Sequence, residues 1–251
     1  MVGAVNVGDA VASDLPGLTK TRRKPLFIVE LVGPAGAGKT TLSRVLSERD
    51  EKILIGPEIE FRKMEHIPIF VCNAPYLLPV FLHRCRNSRW FAWDEIKALV
   101  YLKAWPQVLR QQAKINGTII LLDHGPVFKL ATLHAFGPDK LRSQDFKTWW
   151  DSMFRQWGYI LDLVIWLDAP DTILKERINT RDQRHAVKGK PELEAEKFLA
   201  RYRASYTQIM AKLKANGRPR LLRFDTYQSS IEQTVDEVLA VFNWKRSKSL
   251  G

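Results

Sequence analysis

From Leu26 onward, short apolar runs alternate with longer stretches of helical periodicity. Leu26–Val32 is a seven-residue apolar run interrupted only by Glu30. Continuous apolarity over that length predicts a strand buried on both faces. Further strands are expected at Lys52–Ile55, closed by Gly56-Pro57, and at Ile119–Leu122, Leu163–Leu167 and Leu221–Phe224. Between them, Thr40–Arg49 places Leu42, Val45 and Leu46 on one helical face. Trp93–Ile115 opens on Asp94 and Glu95 and closes at Asn116-Gly117, acids first and a left-handed cap last, with Pro106 expected to kink or split it. Pro191–Ala215 opens on proline and three glutamates and runs out through Lys212 and Lys214 to Asn216-Gly217. Ser229 and Glu232 have capping-box spacing ahead of Ile231, Val235, Val238, Leu239 and Phe242, which mark a last amphipathic helix. Strands alternating with helices give an α/β fold with a parallel sheet and right-handed crossovers.

One segment carries specific chemistry. Gly33-Pro34-Ala35-Gly36-Ala37-Gly38-Lys39-Thr40 fits G-x-x-x-x-G-K-[ST], with a strand directly before it and a helix directly after. Glycines let the backbone curl so that successive N–H groups point inward at phosphates, and the helix N-terminus, running on through Thr41, adds its dipole. Lys39 reaches the terminal phosphates and the Thr40 hydroxyl is placed to ligate Mg²⁺. The strand at Ile119 closes on Asp123, the expected position of a carboxylate that holds Mg²⁺ through water; a turn or N-cap role is the plainer alternative. Glu58 and Glu60 follow the second strand, where a carboxylate can take a proton from an acceptor hydroxyl or simply lie exposed. Arg177, Arg181 and Arg184 recur at spacings of four and three, which predicts one helix face suited either to a phosphoryl group in transfer or to solvent.

These residues resemble the thymidylate kinase and deoxynucleoside kinase group of P-loop kinases. The resemblance rests on the phosphate loop, the strand ending in Asp123 and the runs LDAPDTILKERINTRDQR, PELEAEKFLARYRASYTQIMAKL and LLRFDTYQSSIEQTVDEVL, and it is weakest between about residues 60 and 115. It implies a P-loop three-layer α/β/α fold with a five-stranded parallel sheet and an arginine-bearing lid at about residues 177–190. It further implies ATP and Mg²⁺ as cofactors and γ-phosphoryl transfer to a nucleoside or nucleoside monophosphate. Lys39 and Thr40 would serve phosphate and metal, Glu58 would be the base, Asp123 the third-strand carboxylate, and Arg177, Arg181 and Arg184 the lid arginines. The chain departs from the family pattern in carrying His124 where an arginine usually follows that carboxylate. It also has Val32, not an acid, directly before the loop.

Composition narrows the alternatives. Thirty-nine Lys and Arg against 27 Asp and Glu give a net charge of +12, which draws anions without choosing among nucleotides, nucleic acid and acidic surfaces. A nucleotide-dependent switch or nucleic-acid-associated ATPase is therefore a second class. Against it, the charge is spread over tail, lid and late helices, and no nucleic-acid module is recognised. A kinase of a non-nucleotide hydroxyl acceptor is a third reading, motivated by the large apolar residues of 64–93. The two cysteines exclude a disulfide framework, no apolar run is long enough to span a bilayer, and the setting expected is cytoplasmic. Residues 1–24 are expected to be a flexible extension ahead of a kinase domain at 25–246. Trp149, Trp150, Met153, Phe154 and Trp157 are read as both faces of one apolar helix, either buried or a homodimer contact.

Overall fold

The structure, a computed structural model, describes residues 27–56, 89–112, 118–182, 185–217 and 219–248. Five strands form one sheet: β1 (Phe27–Val32), β2 (Ile53–Ile55), β3 (Ile119–Asp123), β4 (Leu163–Asp168) and β5 (Arg220–Asp225). Their order is β2-β3-β1-β4-β5, with every neighbouring pair parallel. The helices are α1 (Lys39–Arg49), α2 (Trp93–Gln112), α3 (Pro126–Phe136), α4 (Lys147–Ile160), α5 (Asp171–Asn179), α6 (Glu192–Asn216) and α7 (Ile231–Lys248). All five strands expected from the apolar runs are present, within a residue at each end.

Strand alternation divides the core into two layers. Ile28, Val32, Ile120, Leu122, Val164 and Trp166 face α2, α3, α4 and the C-terminal half of α6. Val29, Leu31, Leu121, Ile165 and Leu167 face α1 and α7, where Leu42, Leu46, Val235, Val238 and Phe242 are buried. Each such side chain contributes about 1.5–3 kcal/mol by leaving water. The three central strands β1, β3 and β4 are thereby covered on both faces, as their apolar runs require, while the edge strands β2 and β5 are partly exposed.

Three expectations are corrected in detail. Pro106 does not split α2, which runs unbroken from Trp93 to Gln112. Proline has no N–H to give the carbonyl one turn back, that of Leu102. That carbonyl instead accepts from Trp157 Nε1 at 3.0 Å and Gln156 Nε2 at 3.1 Å, both on α4. The capping box of α7 lies one residue later than the sequence reading placed it. Ser230 Oγ accepts from the Gln233 amide, and Gln233 Oε1 accepts from the Ser230 amide, each at 3.1 Å. The tryptophan-rich helix is apolar on one side only. Met153, Phe154 and Trp157 are buried and Trp149 and Trp150 partly so, while Lys147, Asp151 and Arg155 are exposed. Spacings of one, four, five and eight mark a single face at 3.6 residues per turn. The expected extension at 1–24 and the left-handed cap at Asn116-Gly117 lie outside the described residues.

Candidate phosphoryl-transfer site

The sheet order sets the site. β1 lies between β3 and β4, so the loop leaving β1 meets the carboxyl ends of both neighbours, where open α/β sheets bind ligands. Register pairs Leu31 with Asp123, which sets that carboxylate beside the end of β1. The loop bends through positive φ at Gly33, Gly36 and Gly38. Gly33 is demanded twice: its φ is 140°, and a Cβ there would lie 2.0 Å from the Leu167 carbonyl oxygen on β4. Helix α1 then begins with no side-chain cap and no acid in its first turn. Its first amides and its dipole are left for an anion.

Lys39 curls over the loop and donates to the carbonyls of Gly33 at 2.9 Å and Pro34 at 3.0 Å. Burial lowers its pKa to about 8; the Arg181 charge pushes the same way and Asp123 opposes. Asp123 Oδ1 is buried and accepts no hydrogen bond, and the nearest ring nitrogen of His124 stands 3.6 Å away. His124 itself adopts φ 53°. An orphaned carboxylate oxygen close enough to lysine to shift its titration is the kind of group a hard cation satisfies. The Asp123 carboxylate and the Thr40 hydroxyl are oxygen donors of the type that Mg²⁺ takes. Among the described residues, no group of three or more His, Cys, Asp or Glu forms an all-protein metal cage.

Two cavities flank the loop. One, of about 220 Å³, has Gly33, Pro34, Ala35, Lys39 and Thr40 on one wall. Also lining it are His124, which follows β3, Phe128 in the first turn of α3, Ile178 of α5, Arg181 and His185 from the segment after α5, and Phe198, Leu199 and Tyr202 from α6. Burial and the charges of Lys39 and Arg181 lower the pKa of His185 and favour its neutral ring. The second cavity, of about 330 Å³, is lined by Gly36, Ala37 and Gly38 and by the hydroxyl-bearing residues Thr41, Thr180, Thr226, Ser229 and Thr234. Arg181 lines both.

The three arginines do not share a helix face. Helix α5 stops at Asn179 with Thr180 as its C-cap, so Arg181 lies beyond it. Arg177 donates to Gly36 O at 3.2 Å, Thr226 Oγ1 at 3.0 Å and Thr226 O at 3.1 Å. It is a strut between the phosphate loop and the turn after β5, with three of its five N–H donors engaged there, and it also lines the second cavity. Glu58, Glu60 and Arg184 lie outside the described residues.

Sequence reasoning gave Glu30 no role beyond interrupting an apolar run. It is fully buried on the sheet face beneath α3. Its Oε2 accepts from the Val127 amide at 2.8 Å and Oε1 from the Phe128 amide at 2.9 Å. Burial raises its pKa to about 8 against the pull of those two amides; the Asp123 charge adds to the rise and Lys129 opposes it. The signal was the lone charge in β1. The aromatic wall of Phe128, Phe198 and Tyr202 had no sequence signal, since it joins two distant helices.

Residues 28–209 match the family described as AAA domain. No curated protein sequence shows significant similarity to the chain. Among solved structures, deoxyadenosine kinase from M. mycoides with bound dATP superimposes with a TM-score of 0.50 at 15% identity, covering 86% of this chain and 100% of the other. Thymidylate kinase from Candida albicans gives 0.50 at 16%, covering 89% and 94%. The YorR protein from Bacillus subtilis in complex with phosphorylated GDP gives 0.50 at 13%, covering 88% and 98%. At these identities the likeness establishes the fold, the three-layer α/β/α arrangement of P-loop kinases. The chain belongs to the AAA domain family of P-loop proteins.

Proposed function

We propose that the protein is an ATP-dependent, Mg²⁺-dependent phosphotransferase that moves a γ-phosphoryl group to a nucleoside or nucleoside monophosphate. The observation that carries this reading is a chamber lined by Lys39, Arg181 and the aromatic rings of Phe128, Phe198 and Tyr202, with Asp123, whose Oδ1 accepts no hydrogen bond, close enough to act on the charge of Lys39. The kinases that share the fold support it.

In this reading, the amides of Gly36–Thr41 cradle the phosphates, and Lys39 leaves the loop carbonyls to bind them. Thr40 and Asp123 would hold Mg²⁺, which would supply neutralisation of phosphate charge. Arg181 faces both cavities and so reaches the group in transfer from the side opposite Lys39. Residues 177–190 act as a lid, with Arg184 and the base Glu58 completing the set; Arg177 contributes by fixing the loop. The phenyl and phenol rings of Phe128, Phe198 and Tyr202 exclude water and offer a flat surface to an acceptor base. The chamber's apolar share, which includes Ile178 and Leu199, favours a non-nucleotide alcohol as the second reading.

Incubation with labelled ATP, Mg²⁺ and a panel of deoxynucleosides and nucleoside monophosphates tests the reading. Acceptor-dependent phosphorylated product is expected. Lys39→Ala should weaken triphosphate binding by about ten- to hundredfold, the loss of one or two charged hydrogen bonds. Product from an alcohol extract alone would select the second reading, and no Mg²⁺-dependent triphosphate binding would overturn both.

A further inference from the structure

Glu30 has surroundings built specifically for it. The residue opening α3, Gly125, has no side chain, and a Cβ there would lie 2.7 Å from Glu30 Cδ and 3.0 Å from both carboxylate oxygens. Pro126 takes the first helical position, where no N–H is needed. The next two amides, of Val127 and Phe128, go to the two oxygens of Glu30. Helix α3 has no side-chain N-cap of its own; the carboxyl group of Glu30, from the neighbouring strand, caps it instead.

The hold extends beyond α3. Ser205 Oγ donates to Ala131 O at 2.8 Å, and Thr132 Oγ1 pairs with Tyr202 Oη at 3.0 Å. Phe128 stacks at 6.3 Å on Tyr202, which packs at 5.4 Å against Phe198. Helix α3 thus supplies Phe128 to the chamber lining and, through Ala131 and Thr132, holds the helix that supplies Phe198 and Tyr202. Glu30 itself touches neither the chamber nor the phosphate loop.

We infer that Glu30 is a positioning residue for the acceptor: by capping α3 from within the sheet, it sets the distance between the aromatic wall and the phosphate loop. The inference rests on the phosphotransferase reading for its chemistry. The capping itself does not depend on that reading. Triphosphate binding, made by the loop and α1, is independent of it.

Hydrogen exchange of the full chain and its Glu30→Gln variant separates these parts. The glutamine keeps shape but turns an amide N–H toward one of the two donors. Amides of 126–132 and 198–206 should exchange about tenfold faster, while those of 33–42 keep their rate. Mg²⁺·ATP affinity should be unchanged. With deoxyadenosine or thymidine monophosphate, whichever is turned over, KM should rise about ten- to hundredfold, as a misplacement near 1 Å predicts. Gly125→Ala, which leaves Glu30 in place but crowds it, should reproduce the same pattern. Unchanged exchange in α3, or a change that stops short of 198–206, overturns the inference. So does an equal loss of ATP affinity, which would mark a merely structural role. If neither probe is a substrate, the nucleoside or nucleotide acceptor is at fault, and the exchange pattern still decides the capping.

Discussion

At the scale of single residues, Glu30 and Lys39 show how burial sets charge. Glu30 is held above the usual carboxylate range, at about 8, because removal from water outweighs its two amide partners. Between the ordinary value of 4.5 and about 8, the folded chain therefore keeps a proton that the unfolded chain has lost. Raising the pH through that window must favour unfolding. The groups that bear on Glu30 are Asp123, which adds to the effect, and Lys129, which opposes it. Glutamine does not titrate, so the stability of the native protein relative to Glu30→Gln should fall by up to about 1.4 kcal/mol per pH unit across the window. Paired urea titrations from pH 5 to 8 measure this; a constant difference would mean that Glu30 is ionised throughout. The same residue marks the limit of reading a site from sequence. A lone glutamate in a buried strand announces a partner but not which one, because the amides of Val127 and Phe128 are brought to it only by the fold. Lys39 was legible because its partners, the carbonyls of Gly33 and Pro34, are close neighbours in the chain.

At the scale of elements, legibility followed locality. The central strands β1, β3 and β4 could be read because burial on both faces writes the same apolar run whatever the neighbours. The arginine face could not, because periodicity continues on paper past Asn179 while the helix does not. The capping box of α7 was misplaced by one residue because Ser229 and Ser230 each have an acid or amide three positions on. Backbone entry decides between them, and the structure selects Ser230 with Gln233. Ser230→Ala should accordingly cost about 1 kcal/mol of stability and Ser229→Ala much less, as thermal or urea unfolding of the two variants will show. An equal cost would return the cap to Ser229. Arg177 makes a similar point about function: three hydrogen bonds to Gly36 and Thr226 explain its position without any phosphate.

At the scale of the whole molecule, the site joins parts from across the chain. Its loop follows β1, its carboxylate ends β3, and its walls come from α3, α6 and the segment after α5. Among the described residues, no helix is long and apolar enough to cross a membrane. A ligand that ties these parts together stabilises all of them by mass action. At one hundred times its dissociation constant, Mg²⁺·ATP should add about 2.7 kcal/mol, or about 5–10 °C in melting temperature. Because Lys39 loses its proton near pH 8 in the free protein, binding above that pH must take up a proton. The thermal shift at a fixed ATP concentration should therefore shrink between pH 7.5 and 9.5. A pH-independent shift would show that Lys39 does not bind the phosphates. The sheet order and both core layers follow from such long-range assembly, and no local pattern encodes them beyond the general rule for alternating strands and helices.

The carbonyl of Leu102, left open by Pro106 and taken by Gln156 and Trp157, ties two helices at a defect. Alone, α2 would carry an unmet acceptor at its middle and would fray there. Docking of α4 supplies the missing donors and so completes α2 from outside. The two helices should therefore become ordered together during folding, and damage to Trp157 should loosen a helix some fifty residues earlier in the chain.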